Sequence, residues 1–230
     1  MNERRFLLMR QSGFTLAELL VAMAVASVVM VMVVATYYGQ TSTSSNQEQM
    51  MAMQQNLRAA IYTMSQDIML AGYKRRPGVV APPTFGIVTA APQQLVITYL
   101  DEADNVEMVR YRLYDSGGDG DMDLGRQSDD DFVIQPFAED IQELEFLYTL
   151  ANGVQTTNVA DPASLKAIRA VGISILGKTA NEVKGYIDQR TYTSLLGTVW
   201  GQPPYNDRFR RQLVTTTVLC RNSMNFASPN

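Results

Sequence analysis

The hydrophobic pattern of this chain changes period twice. From Phe14 to Ala35 it runs through 22 residues with a single charge, Glu18, and is apolar on every side, as a helix bathed in lipid or packed among apolar helices must be. From Met50 it narrows to a stripe of Met50, Met53, Leu57, Ile61, Met64 and Ile68, whose spacings of three and four keep one helix face. No proline precedes Pro77, and Gly39 is the single glycine between Phe14 and Ala71. One helix is therefore predicted over about 14–71, ended by Gly72 and Pro77. The polar stretch Thr41-Ser42-Thr43-Ser44-Ser45-Asn46 divides its halves with weak helix formers, where a bend or loosening is expected. At about 1.5 Å per residue this helix would be roughly 87 Å long, against about 30 Å for a bilayer core. Its second half therefore lies outside any membrane, and the stripe there needs a cover.

Beyond Pro77 the period drops to two. Gln94 to Leu100 and Val106 to Tyr114 alternate, with Leu95, Ile97 and Tyr99, then Val109, Tyr111 and Leu113, on one face; a polar turn from Asp101 to Asn105 joins them. Phe132 to Phe137, Glu143 to Leu150, Ile168 to Leu176 and Arg210 to Arg221 read as further strands. Five or so strands after one helix, without βαβ alternation, predict the α+β class: an antiparallel sheet laid against the helix. Gly177 to Tyr205 has few alternations and ends at Pro203-Pro204; it reads as a long connection, a mobile or contact loop.

Charge changes the picture at the N-terminus. Arg4, Arg5 and Arg10 precede Ser12-Gly13-Phe14-Thr15-Leu16-Ala17-Glu18, and an unpaired carboxylate at the centre of a bilayer costs roughly 2.5–3.5 kcal/mol. A secretory signal shares the basic start, and Ala24-Val25-Ala26 would serve as its cleavage site, but the apolar run continues past it. An uncleaved single anchor also fits the length. The Gly-Phe junction, lone glutamate and basic flank together resemble the class III leader of type IV prepilins and pseudopilins. That resemblance implies a leader of residues 1–13, cut by a prepilin peptidase between Gly13 and Phe14. It implies N-methylation of Phe14, and Glu18 as the acidic residue that pairs with an amine during subunit assembly. It also implies the pilin-like fold, with residues 14–38 as the transmembrane or filament-core half of the helix and 39–230 as a periplasmic or extracellular domain.

The second half resembles, more narrowly, PilW-type minor pilins, which are related to GspJ-type pseudopilins. The residues concerned are Ile168-Arg169-Ala170-Val171-Gly172-Ile173-Ser174-Ile175-Leu176, then Arg208-Phe209-Arg210-Arg211 and a last strand ending Leu219-Cys220-Arg221-Asn222. The implied function is that of a minor pilin incorporated into a type IV pilus or priming its assembly. Its implied partners are the peptidase, the major and other minor pilins, and an inner-membrane assembly platform. It would cross the inner membrane once with its N-terminus cytoplasmic, as the basic flank also predicts, and reach the cell surface in the pilus. Two alternatives stay open: a GspJ-like pseudopilin of type II secretion, and a membrane-tethered adhesin acting through Gly177 to Tyr205.

Composition narrows the chemistry. The 230 residues carry a net charge of −4, which argues against a broad nucleic-acid surface; Lys74-Arg75-Arg76 and Arg208 with Arg210-Arg211 are short runs that read as solvated. Histidine is absent and Cys220 is the single cysteine. No intrachain disulfide can form, and the commonest general base and zinc ligand are missing. Many pilins close a C-terminal loop with a disulfide, so here packing, hydrogen bonds or a metal must hold that region. Cys220, in the run Val214, Thr216, Val218, Cys220, reads as a core residue. Asp119, Asp121 and Asp123 alternate like the first oxygen ligands of a calcium loop, with Asp130 in the twelfth position. The expected glycine, however, is Leu124 with Gly125 one later, and a solvated glycine-rich turn accounts for the same residues. Met50, Met53, Met64 and Met69 read as core rather than metal ligands. The acidic neighbours Asp129-Asp130-Asp131 and Glu139-Asp140 point apart and form no acid–base dyad. No enzymatic constellation is visible, and no cofactor beyond calcium is implied.

Overall fold

The computed structural model describes residues 13–74, 85–118, 120–129 and 133–222. Helix α1 spans Leu16–Leu70 and contributes to two compact units, residues 1–47 and 48–230. In the first unit it passes through the polar stretch without interruption, and the hydroxyls there explain how. Thr41 and Thr43 donate to the carbonyls of Tyr37 and Gly39, each at 3.0 Å, as Thr36 does to Met32 at 2.8 Å. Side chains that bond back to the preceding turn need no water.

In the second unit, α1 is followed by β1 (Gly86–Ala91), β2 (Gln94–Leu100), β3 (Val106–Tyr114), β4 (Asp123–Ser128), β5 (Gln135–Ala138), β6 (Ile141–Leu150) and β7 (Gln155–Thr156). Then come α2 (Pro162–Lys166), β8 (Ile168–Lys178), β9 (Tyr192–Thr193), β10 (Val199–Trp200) and β11 (Arg211–Leu219). The pattern predicts one sheet; the structure has two, both antiparallel, ordered β1-β2-β3-β4-β5 and β11-β8-β6-β7, with β9 and β10 as a separate ribbon. Both sheets and the helix share a core. Met53, Leu57, Ala60, Met64 and Ile68 of α1 meet Leu95, Ile97, Val109, Tyr111 and Leu124 of the first sheet. They also meet Leu144, Phe146, Val171, Ile173, Ile175, Val218 and Cys220 of the second. Cys220 is buried, and burial pushes its thiol up to about 12. The predicted methionine face is core as well, with Met50 and Met69 packed at its rim.

Polar locks fix the helix over the sheets. Asp67 is buried on α1 and accepts from Tyr111 Oη at 2.5 Å and Arg126 Nε at 3.0 Å. Burial and then the Asp67 charge push the Tyr111 phenol far up, so it stays a donor. On the second sheet, Leu57 lies within 3.0–3.2 Å of where a Cβ on Gly177 would stand, so the helix sits close to β8 because that residue lacks a side chain. Strand β4 carries no alternation, and its Gly125 is required for another reason. A Cβ there would stand 2.4 Å from Ile134 Cδ1 and 2.6 Å from Tyr114 Cε1.

Residues 179–210 are not a free loop. Asp188, on that segment, is fully buried and accepts from Tyr192 Oη (2.8 Å), Arg211 Nη1 (3.2 Å), Arg190 Nε (3.0 Å) and Tyr186 Oη (3.1 Å). Arg211 is buried too, contrary to its reading as a solvated position, while Arg208 and Arg210 are exposed. Its guanidinium holds both oxygens of Asp207, at 2.7 and 2.5 Å, reaches Gln142 at 3.2 Å and stacks 3.9 Å over the Tyr205 ring. Further along, Leu195 N donates to Ser174 Oγ at 3.0 Å and Thr198 Oγ1 to Glu145 at 2.6 Å. The segment thus covers the outer face of the second sheet. That is why β8 is buried almost throughout instead of on alternate residues.

Removing one member of a buried ion pair strands the other, at about 3–5 kcal/mol. Arg211→Met is expected to destabilise residues 48–230 by that amount in urea unfolding. Burial raises the Asp188 pKa, but hydrogen bonds from Tyr192 and Arg190 outweigh it and leave the carboxyl below its usual range. Hydrogen bonds from Arg211 hold Asp207 low. Both groups bind protons more weakly when folded, so their contribution is complete above about pH 4 and lost as pH falls through the folded values. Stability is expected to drop on acidification below about pH 4, and Arg211→Met to show a smaller drop.

Candidate functional site

The site begins where α1 begins. Gly13, Phe14 and Thr15 lie outside the helix, which starts at Leu16, and Phe14 is 92% exposed. The first turn is closed by a reciprocal pair. Glu18 Oε2 accepts from Thr15 N and from Thr15 Oγ1, each at 2.9 Å, while Glu18 N donates to Thr15 Oγ1 at 3.2 Å. This is a capping box: a Thr-x-x-Glu spacing in which each side chain satisfies a backbone donor of the other residue. The carboxylate also lies at the positive end of the helix dipole.

Two consequences follow for chemistry. The Gly13–Phe14 bond sits in non-helical, exposed backbone one residue ahead of the cap, a geometry open to a processing enzyme. Glu18, one turn in, is held at the same end of the helix by Thr15. Residues 1–12, with Arg4, Arg5 and Arg10, lie outside the described residues. From this turn to Thr41, α1 is exposed among the described residues. Leu16 to Tyr38 present exposed leucine, valine, methionine and tyrosine, and the helix is long and apolar enough to cross a membrane by length and composition, its most apolar 18-residue window having a mean hydropathy of 2.7.

In the aspartate loop the described carboxylates bond to neighbouring protein groups. Asp119 and Asp130 lie outside the described residues. Asp121 forms an ion pair with Lys178 Nζ, whose ammonium also lies 4.7 Å over the Phe209 ring. Asp123 opens β4, is buried, bonds Ser116 Oγ and accepts from Asp140 N at 3.2 Å. Asp140 stands beside them, its pKa raised chiefly by burial. Gly118 and Gly120 donate to the two oxygens of Asp115, at 2.6 and 3.0 Å. Among the described residues no group of three or more carboxylates, cysteines and histidines converges to hold a metal ion. A lysine supplies the positive charge at Asp121.

Sequence reasoning finds Gly13, Phe14 and Glu18 together, and misses Thr15. The signal for it is the Thr-x-x-Glu spacing just ahead of an apolar run. It also misses Asp188 and Arg211, for which no local signal exists, since their pairing spans 23 residues of irregular chain.

Residues 8–34 match the family model described as the prokaryotic N-terminal methylation motif. No curated protein matches the chain. Among solved structures it is similar to the type IV-like pilin TTHA1219 from Thermus thermophilus, at 15% identity and a TM-score of 0.45, over 73% of this chain and 96% of that one. The motif implies processing by a prepilin peptidase and assembly with other pilins, and with the apolar helix it fits a membrane-anchored protein. The N-terminal segment thus carries a prepilin-type methylation motif, a feature in which it is similar to type IV pilin-like proteins.

Proposed function

We propose that the protein is a minor pilin of a type IV pilus: a structural subunit that waits in the inner membrane, leader in the cytoplasm and residues 39–230 in the periplasm, before it enters or primes the filament. The observation that carries this reading is the capped first turn, with an exposed Gly13–Phe14 junction immediately ahead of a carboxylate fixed at the end of an uncovered apolar helix. Cleavage at that junction leaves Phe14 with a cationic amine, which methylation keeps cationic. A carboxylate and an ammonium about 4 Å apart attract by roughly 4 kcal/mol at an effective dielectric of 20. That is of the same order as the cost of an unpaired Glu18 in lipid. In the membrane, the carboxylate is satisfied by Thr15 and by its own terminus. In a filament, the amine of a neighbouring subunit takes over, so no bare charge is left during the transfer.

Two experiments test this. Glu18→Ala is expected to give a cleaved, N-methylated chain that enters sheared pili at least about tenfold less than wild type; normal incorporation would sink the assembly role. Intact-mass spectrometry of native envelope material is expected to show Phe14 as the methylated first residue, and a retained Met1 would reduce the protein to a membrane anchor. Loss of enzyme secretion in place of loss of pili, on deletion, would assign the same subunit to a secretion pseudopilus.

Calcium at Asp119, Asp121, Asp123 and Asp130 enters this proposal on one condition: the ion has to displace Lys178 from Asp121. Titration calorimetry is therefore expected to show no heat below about millimolar calcium, the weak end of the range for such loops. Micromolar binding would show that the lysine gives way.

A further inference from the structure

Strand β11 is the outer strand of the second sheet, and its polarity can be read from its ends. Thr179 N donates to Arg210 O and Cys220 N to Arg169 O, each at 2.9 Å. Residues in hydrogen-bonded pairs alternate along an antiparallel ladder, so the even-numbered residues of β11 bond β8. Leu213, Thr215, Thr217 and Leu219 turn their N–H and C=O groups outward. Among the described residues no backbone group bonds these four from the open side. The opening has a definite start: the outward carbonyl of Arg211 is closed by Arg190 Nη2 at 3.2 Å.

Natural edges are blunted with charges, prolines or bulges. Residues 212–219 carry no charge, proline or glycine, and the register with β8 runs without a shift from Arg211 opposite Lys178 to Leu219 opposite Ala170. The side chains of Thr215, Thr217 and Leu219 are exposed on the outer face, Leu219 at 57%. Beside them stands the tip of the β9–β10 ribbon, with Leu195 and Leu196 exposed. Leu195 Cδ1 lies 2.9 Å from where a Cβ on Gly172 would stand, and Gly172 is the cross-strand partner of Thr217. A strand added here would find backbone partners along the edge and an apolar ledge for its outward side chains.

Charge decides the occupant. Exposed Arg210 and Arg221 bracket the uncharged run, with Arg208 exposed just before it. Two copies paired antiparallel about Thr215 would set Arg221 of each opposite residue 209 of the other, between Arg208 and Arg210. Two copies paired parallel in register would set Arg210 against Arg210 and Arg221 against Arg221. Like charges across a strand pair are destabilising, so the arginines work against self-pairing and favour a strand with an acid at each end. We propose that β11 is a docking edge for an extended segment of a different pilin-like subunit, about eight uncharged, largely β-branched residues ended by Asp or Glu, which adds a fifth strand to the sheet. The identity of the partner as a filament subunit rests on the minor-pilin reading; the edge and its charge preference do not.

The test uses the full chain in detergent and a ten-residue peptide of alternating threonine and valine ended by aspartates, beside the same peptide ended by lysines. The acid-ended peptide is expected to bind at least about tenfold more tightly, with an advantage that shrinks as salt rises. It is also expected to slow amide exchange at Thr215 and Thr217 by about tenfold. Thr215→Pro removes an outward N–H while sparing the β8 ladder, and is expected to abolish binding with the circular dichroism spectrum and melting midpoint retained. Thr217→Lys, which keeps every backbone donor, is expected to weaken it. Equal binding of the two peptides, or unchanged exchange at both threonines, would overturn the proposal. So would self-association abolished by Thr215→Pro, which makes a second copy the occupant. Slow exchange in the free chain that speeds up on deletion of residues 223–230 would also overturn it, because the chain would then cover its own edge. None of these readouts requires a filament, so failure to enter pili and failure to bind the peptide are separate results.

Discussion

An apolar helix with no polar face has to be surrounded, and among the described residues of the first unit nothing covers it. Leu16 to Val34 are exposed along every side of α1, and at about 25 cal/mol per Å² the apolar side chains among them resist contact with water. Lipid or other apolar helices must supply the contact. Within such a medium one carboxylate is tolerable where the helix itself offers donors. Thr15 and the free N–H groups of the first turn are those donors, which is why the single acid stands at Glu18 and not farther along.

The second unit answers a different constraint. The inner faces of two sheets and one face of α1 form a shared core, and the helix is set in place by a carboxylate at Asp67 that a phenol and a guanidinium claim together. The outer face of the second sheet would be open were it not for residues 179–210. That segment has few apolar side chains to bury, and it is held instead by Asp188 and Arg211, which would each be costly alone. Buried charge here organises irregular chain that hydrophobic packing could not.

This division explains what was legible in the sequence. Helix α1 shows its own period, and strands β2 and β3 fall at 94–100 and 106–114, as alternation places them. Strand β4, Asp-Leu-Gly-Arg-Gln-Ser, has no alternation because its Gly125 answers to Ile134 and Tyr114 and not to a core period. Strand β8 was legible by its apolar residues, yet the second layer that buries Ala170, Gly172 and Ser174 was not, since Glu145, Ser174 and Arg211 receive that layer through polar contacts between distant residues. At the N-terminus Gly13, Phe14 and Glu18 stood out by type and spacing, whereas the role of Thr15 becomes plain from the bonds it makes.

One feature of the C-terminal region reaches beyond stability. Tyr186, Asp188, Arg190, Tyr192 and Arg211 knit this segment through hydrogen bonds and ion pairs, and Cys220 is the single cysteine of the sequence, with no second thiol to join. The domain therefore matures without an oxidant or a thiol isomerase, and a reductant leaves its closure untouched. Its fastening is made of ion pairs and hydrogen bonds, which loosen in acid as Asp188 and Asp207 take up protons.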